Sequence, residues 1–265
     1  MPYIDTHTHL DFAAFDPDRD QVLSDCARLG VERLVLLGVT QGNWDRIWQL
    51  CRQHDNLFAA FGLHPMFMDE HRDGHIGALQ QILAERLDDP RCCAVGEYGL
   101  DYWGKNADRN AQQQLFEAQL QLAVDCRLPS LLHVRRAHAD VIATLKRYRP
   151  ARGGIIHAFS GSPEEAREYH KLGFKLGLGG AATWPQATRL RQTIALLPGE
   201  QLVLETDSPD MAPAFHAHQR NSPALLPQIA KELAALRGES LDEFSARCWQ
   251  NSCELFQWSP PALPA

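Results

Sequence analysis

The sequence predicts a single (β/α)8 barrel, in which a ring of eight parallel strands is surrounded by helices. Eight short apolar runs recur along the 265 residues, and a longer segment of helical character follows each run. The runs lack the alternation of polar and apolar residues that one solvated face would require, as is typical of parallel strands buried on both faces. The length of the chain also suits one barrel domain.

An open, doubly wound sheet is the competing fold for such a succession of strands and helices. That fold usually places a glycine-rich phosphate loop after its first strand, whereas here the histidines His7 and His9 stand there. We find no internal repeat and no low-complexity linker. We therefore assign one barrel domain to residues 1–258 and a loose, proline-rich tail to residues 259–265.

The predicted elements alternate regularly along the chain. The first strand contains Tyr3 and Ile4, and the other strands cover residues 31–39, 57–63, 92–96, 130–132, 154–156, 174–178 and 202–204. Helices are predicted over residues 17–29, 41–54, 76–87, 112–126, 137–148, 185–197, 224–236 and 241–256. A further helix begins after Ser162, because Ser suits the N-cap, Pro163 the first helical position and Glu165 the third.

Composition and charge exclude some classes of function. A formal net charge of -7 argues against the broad basic surface of a protein that coats duplex DNA, but not against an enzyme that grips a chain end. No apolar run approaches the ~20 residues that span a membrane, and the first residues do not resemble a secretory signal. Seven scattered cysteines predict reduced, mostly buried thiols in a cytoplasmic protein. No obligatory protein partner is evident.

The first predicted strand runs into a pair of histidines, His7 and His9. Side chains alternate along extended backbone, so both imidazoles point to the same side. Two adjacent imidazoles form half of a divalent-metal site. The alternative is a polar start of the chain with two exposed histidines.

Residues of metal-binding type also follow later strands. The active site of a barrel lies at the carboxyl ends of its strands, and buried imidazoles or carboxylates are costly unless paired or bound to metal. Of the seven residues expected at this face, six are good ligands for one or two divalent ions. The seven are His7, His9, His64, Glu97, His133, His157 and Asp207.

Six motifs in fixed order carry a resemblance to a known family. They are Asp5-Thr6-His7-Thr8-His9-Leu10, Gly62-Leu63-His64-Pro65, Gly96-Glu97-Tyr98-Gly99-Leu100-Asp101-Tyr102, Leu132-His133-Val134-Arg135, His157-Ala158-Phe159-Ser160-Gly161 and Glu205-Thr206-Asp207-Ser208-Pro209. Together they resemble the TatD family of metal-dependent hydrolases, within the amidohydrolase-like barrels, over nearly the whole chain. The resemblance implies cleavage of phosphodiester bonds in nucleic acid, in particular an exonuclease-type DNase activity.

The resemblance further implies two divalent metal ions per chain, with Zn, Mg and Mn as candidates. It assigns one ion to His7, His9 and Asp207, the other to His133 and His157, and a bridging role to Glu97. Two such ions can activate a water molecule and stabilise charge on a phosphoryl or carbonyl oxygen. Asp207 can also accept the proton of that water, so Asp207 and Glu97 are the candidate catalytic residues. The alternatives are a helix N-cap for Asp207 and a buried ion pair for Glu97.

Neighbouring residues are candidates for substrate binding. His64 either reaches a phosphate or is a hydrogen-bonded loop histidine, and Arg135 either clamps a phosphate or stays solvated. Tyr102 and Trp103 offer stacking surfaces for a base, although packing in the core is the more frequent fate of aromatic side chains. Asp101 either orients a metal ligand or caps the following helix.

The chain departs from the family pattern where the substrate would lie. Arg136 follows Arg135 where the family often has Asp, and Asp210 follows the Ser-Pro pair where it often has Tyr. The loop over residues 212–219, which contains His216 and His218, is also unusual. These departures bear on the substrate more than on the metal chemistry.

The expected partner is a nucleic acid or a phosphorylated small molecule, and no membrane. Three other functions stay open. The metals could serve an amide, ester or lactone hydrolase, or a deacylase that acts on charged RNA. A histidinol-phosphatase-like phosphoesterase also begins with such a histidine pair. A metal-binding scaffold without turnover is the non-enzymatic alternative, and the complete ligand set argues against it.

Overall fold

A computed structural model describes residues 2–104 and 107–259 of the chain. In this part of the chain the strands form one parallel sheet of eight, in sequence order. The strands are β1 Tyr3–Thr8, β2 Val31–Leu37, β3 Leu57–Phe61, β4 Cys92–Asp101, β5 Ser130–Arg135, β6 Gly154–Ile156, β7 Phe174–Leu178 and β8 Leu202–Leu204. The loop after β8 returns to β1, since the Asp207 N–H donates to the His7 carbonyl at 2.9 Å. The predicted single-domain (β/α)8 barrel is confirmed.

Helices alternate with the strands on the outside of the barrel. They are α1 Arg19–Arg28, α2 Gln41–Gln53, α3 His75–Arg86, α4 Arg109–Cys126, α5 His138–Tyr148, α6 Pro163–Lys171, α7 Thr188–Leu196, α8 Leu226–Arg237 and α9 Leu241–Phe256. The predicted start of α6 is confirmed, because the Ser162 Oγ accepts the Glu165 N–H and the Ser162 N–H donates to the Glu165 side chain. Of the predicted loose tail, residues 260–265 lie outside the described residues.

Strand β4 is longer than the sequence predicted. We expected it to end at Glu97, but it continues to Asp101, which pairs with Arg135 on β5. The extension is possible because Gly99 brings the two backbones close together. A Cβ at Gly99 would lie 2.0 Å from the His133 carbonyl oxygen, so only glycine allows this approach. Glu97 and His133 consequently lie inside their strands and not beyond them.

The apolar side chains divide between two faces of the sheet. On β2, Leu34 and Leu36 belong to the large cluster packed under the helices, whereas Val35 and Leu37 belong to a second, smaller cluster. The second cluster also contains Phe256 at the end of α9 and the partly buried Trp258. Both faces are therefore buried, which explains why the strands lack polar alternation.

The cysteines agree with the expectation of reduced, mostly buried thiols. All seven fall in the described ranges and are free, and six are buried. Burial raises the pKa of the Cys26 and Cys248 thiols to about 12, which keeps them protonated and unreactive. Among the described residues, no helix combines the length and the apolar character that crossing a membrane requires.

Candidate active site

His7 on β1 and His9, directly after it, place their imidazoles together at the open end of the barrel. Their Nε2 atoms lie 3.3 Å apart. The Asp207 carboxylate, which comes from the loop after β8, lies 3.5 Å from the Nε2 of both His7 and His9. Two residues that are separated by about 200 positions in the chain thus meet because the barrel closes.

Asp207 does not cap a helix in this structure. Its φ is 56°, in the left-handed region, and the Asp210 N–H donates back to its carbonyl in a turn. This conformation is uncommon for a residue with a side chain. It directs the carboxylate into the histidine cluster, where Oδ2 lies 3.6 Å from His157 Nε2.

Glu97 lies at the centre of the cluster. Its Oε2 is 3.1 Å from His7 Nε2, and its Oε1 is 3.0 Å from His64 Nε2 and 3.1 Å from His133 Nδ1. Nε2 of His157 is 3.9 Å from Oε1. A plain ion pair would involve one partner, so the surroundings of Glu97 favour a shared ligand.

Two further carboxylates contact the histidines from behind. Glu205 is fully buried; its Oε1 accepts the Ala158 N–H and lies 3.0 Å from His157 Nδ1. Asp101 Oδ2 lies 2.9 Å from His133 Nε2, while Asp101 Oδ1 accepts the Trp103 N–H. Asp101 thus contacts a candidate ligand, and α4 is capped by Asp108 instead. Such carboxylates fix the orientation and tautomer of the imidazoles that they contact.

Electrostatics hold the two central carboxylates ionised. Burial opposes ionisation of Glu97, but His64 and His7 outweigh it and hold the pKa well below its usual range. Burial likewise opposes ionisation of Asp207, and His157 and His9 lower its pKa. In return, Glu205 and Asp207 overcome the burial of His157 and raise its pKa to about 10. The cluster therefore favours positive charge at its centre.

The donor set fits divalent metal ions. Among the described residues, ligand atoms within 4.8 Å of one another form three groups, of which the first two share His7: His7, His9 and Asp207; His7, His157 and Glu205; His64, Glu97 and His133. Imidazoles mixed with carboxylates suit Zn, Mn and similar ions. Nitrogen atoms facing each other, as in His7 and His9, repel unless a cation or proton lies between them, so their spacing also agrees with a metal site.

A cavity of about 480 Å³ opens above this cluster. His64 lines it; the imidazole Nδ1 accepts the Met66 N–H, so Nε2 carries the proton and donates to Glu97. Burial lowers the pKa of His64 to about 4, which keeps the ring neutral. Arg135 also lines the cavity, and Met66 and Phe67 form part of an apolar wall.

Tyr102 and Trp103 differ in burial. Tyr102, a predicted substrate-binding residue, is buried in the core under the Arg109 guanidinium and does not line the cavity. Trp103 is 54% exposed. The two residues follow the end of β4, and only the first of them packs into the core.

The departures from the family pattern lie at different distances from the cluster. Asp210 lines the cavity. Arg136 stacks on Trp103 beside it, with 4.0 Å between the guanidinium carbon and the ring centroid. His216 and His218 are not among the described residues that line the cavity. Their loop instead packs on the segment after β7, where the Ala214 N–H donates to Thr183.

Some residues at the site were not identified from the sequence. Glu205 was noted only as part of a motif, although a Glu in an apolar run two residues before Asp207 is itself a signal. The cavity is also lined from three separate segments, which no sequence pattern connects, by Phe12, Met66, Phe67 and Met211.

Comparisons with known proteins agree with this geometry. A family model described as TatD related DNase matches residues 4–257. An uncharacterized metal-dependent hydrolase of Escherichia coli, YjjV, is 38% identical over 254 residues, which are 96% of this chain and 97% of that protein. Its crystal structure superimposes with a TM-score of 0.93 over 97% of this chain and 98% of that one. A protein of Erwinia tasmaniensis named 3'-5' ssDNA/RNA exonuclease TatD is 33% identical over 95% of this chain and 98% of its own length. The chain therefore belongs to the TatD family and is a metal-dependent hydrolase.

Proposed function

We propose that this enzyme removes nucleotides from the 3' end of single-stranded DNA or RNA. The observation that carries the proposal is the cavity of about 480 Å³ above the histidine cluster. Its volume is in the range of small-ligand pockets, which suits one nucleotide at a chain end and not a continuous duplex. The polarity of attack is taken from the name of the Erwinia relative.

We assign the metal ligands as the resemblance implies. His7, His9 and Asp207 would hold one ion, His133 and His157 would hold the other, and Glu97 would serve both. Two bound ions supply Lewis acidity, which activates water and stabilises the charge on the phosphoryl oxygens. The high share of imidazole among the ligands favours Zn or Mn over Mg, which prefers oxygen ligands.

The side chains of the pocket have distinct roles in this proposal. Asp207 accepts the proton of the attacking water, because its lowered pKa keeps it ionised at neutral pH. His64 holds Glu97 in place and presents a neutral imidazole to the substrate. Arg135 contacts a phosphoryl oxygen with its guanidinium, and Met66 and Phe67 receive the apolar faces of the terminal sugar and base.

The apolar wall also suits an acyl group, so a metal-dependent ester or amide hydrolase is the second candidate. We expect protein loaded with Zn or Mn to shorten a 5'-labelled single strand stepwise from its 3' end, and to leave a circular single strand intact. The same protein should act far more slowly on phosphomonoester, ester and amide substrates. Faster cleavage of an ester or amide than of the single strand would overturn the proposal. We further expect a cytoplasmic location, which stays a prediction based on the free thiols.

A further inference from the structure

An exposed tryptophan and two arginines form a small cluster at the mouth of the cavity. Trp103 follows β4, and its ring centroid lies 4.2 Å from the Arg135 guanidinium carbon and 4.0 Å from that of Arg136. Arg135 ends β5, and Arg136 follows with a φ of 57°. This left-handed turn is uncommon outside glycine, and Arg136 here stacks on the same indole as Arg135. We call these three residues the arginine–tryptophan rim.

No described residue accepts a hydrogen bond from the side chains of the two rim arginines. Elsewhere, Arg220 uses both terminal nitrogens on the Asp18 carboxylate and is not available for a substrate. By contrast, within residues 2–104 and 107–259 neither Arg135 nor Arg136 reaches a hydrogen-bond acceptor, and the Asp101 carboxylate is 4.0 Å from Arg135. Arg136 is exposed and Arg135 is partly exposed, so their N–H groups can reach a ligand.

The rim continues the wall of the active-site cavity. Arg135 lines the cavity, whereas Trp103 and Arg136 stand outside it. Cleavage of one bond needs only the groups inside the cavity. Two adjacent guanidinium groups on an exposed indole have the chemistry that binds a phosphate next to an unstacked base. In a chain with a net charge of -7 this local positive charge is also the kind of patch that a polyanion requires.

We infer that the rim binds the nucleotide that precedes the one being removed. Its phosphate contacts Arg135 and Arg136, and its base packs against the exposed part of the Trp103 indole that the two guanidinium groups leave open. This inference rests on the proposed function and deepens it: the substrate is an oligonucleotide strand with unstacked bases, and single mononucleotide esters occupy only the inner cavity. Duplex ends bind less well, because their bases are already stacked on one another.

Binding of a single strand tests the rim without relying on turnover. The full chain, loaded with metal, is titrated with a fluorescent oligothymidylate whose linkages are phosphorothioates, which keep the charge and slow cleavage. We expect Trp103→Ala and Arg136→Gln each to raise Kd about tenfold, the size of a lost stacking or charged contact. Arg136→Gln should also lower the salt dependence of log Kd by roughly one phosphate contact.

Two controls make the result specific. Arg28 on α1 is exposed and pairs with Asp25, so Arg28→Gln removes the same charge away from the cavity. The wild-type protein should also bind thymidine monophosphate more weakly than the oligothymidylate. Binding of the oligothymidylate should change the tryptophan fluorescence of the wild type but not that of Trp103→Ala. Rim variants that bind like Arg28→Gln, or equal affinity for the mononucleotide and the strand, would overturn the inference.

Failure of the inference can be distinguished from failure of the proposed function. If only the inference fails, the wild-type enzyme degrades oligonucleotides. The ratio of kcat/KM for the strand to kcat/KM for bis(p-nitrophenyl) phosphate is then the same in the rim variants as in the wild type. If the proposed function fails, neither the wild type nor any variant degrades the strand. A fall of about tenfold in that ratio for Trp103→Ala supports both.

Discussion

Asp101 binds the imidazole of His133 on the side away from Glu97. Nε2 of His133 lies 2.9 Å from Asp101 Oδ2, while Nδ1 lies 3.1 Å from Glu97 Oε1. The carboxylate thus accepts the Nε2 proton and leaves Nδ1 directed at the centre of the cluster. Burial opposes protonation of His133, but Asp101 and Glu97 outweigh it and raise its pKa. Asp101 is therefore a positioning residue for a proposed metal ligand.

We predict that Asp101→Asn weakens metal binding about 10- to 100-fold, because the neutral amide no longer increases the basicity of His133. Competition with a chelator of known affinity measures this loss. Asp108→Asn is the matched control, since Asp108 caps α4 in the same connection and Asn is an equally good cap. Equal metal affinity in the two variants would contradict the role of Asp101.

Asp207→Asn should separate metal binding from turnover. The amide oxygen can still act as a weak ligand, but it cannot accept a proton from water. We expect kcat to fall about 10²- to 10⁴-fold, with more bound metal than in Asp207→Ala. Elemental analysis beside initial rates on the same samples tests both statements. Turnover close to that of the wild type would exclude the proton-acceptor role.

Gly177→Ala should disturb the histidine cluster indirectly, by displacing Glu205. A Cβ at Gly177 on β7 would lie 2.0 Å from Glu205 Oε2, so the buried carboxylate must move away from His157. We expect a loss of about 1–3 kcal/mol in the free energy of unfolding, as for other overpacked cores. Metal affinity should fall with it. Urea unfolding and a metal titration measure the two effects.

Gly77→Ala provides the comparison for that variant. Gly77 lies on α3, and nothing lies within 4 Å of a Cβ built there. This substitution should stabilise the protein by about 0.5–1 kcal/mol, because alanine loses less backbone entropy in a helix. If both alanine variants are equally stable and bind metal equally, the contact between Gly177 and Glu205 has no energetic importance.

His138 gives the fold a dependence on pH that is independent of the metal site. It lies at the start of α5, and its Nδ1 is hydrogen-bonded to the Tyr169 hydroxyl at 3.0 Å. Burial lowers the pKa of His138, and the nearby Glu165 on α6 only partly opposes this. The unfolded chain therefore binds the proton more readily, so stability is full above the unfolded pKa of about 6.5 and is lost as the pH falls below it.

We predict that His138→Asn loses less stability than the wild type between about pH 7.5 and about pH 5.5. Urea unfolding of chelator-treated protein at both values measures the difference, and all other titrating groups cancel in the comparison. His170→Asn, at an exposed position of α6, is the matched control. If the free energy of unfolding changes equally with pH in His138→Asn and in the wild type, burial of the His138 ring does not contribute to the dependence on pH.

Much of the architecture follows from local sequence. The strands β6, β7 and β8 and the helix α9 have the limits that their apolar runs and helical patterns predict. The capped start of α6 follows from three residues that contact each other within one turn. The position of the candidate ligands at the open end of the barrel also follows from sequence, because every strand of a parallel barrel points in the same direction.

Only the tertiary structure decided which atoms meet. Glu97 lies inside β4 because Gly99 lets that strand continue along β5, a contact between residues more than 30 positions apart. The same strand path buries Tyr102 and exposes Trp103, although both aromatic residues looked equally suitable for a substrate. The carboxylate of Asp18 binds Arg220, whereas no described residue accepts a hydrogen bond from the side chains of Arg135 and Arg136. Local preferences determine where strands and helices form, whereas close packing between distant segments determines the neighbours, the charge and the exposure of each side chain.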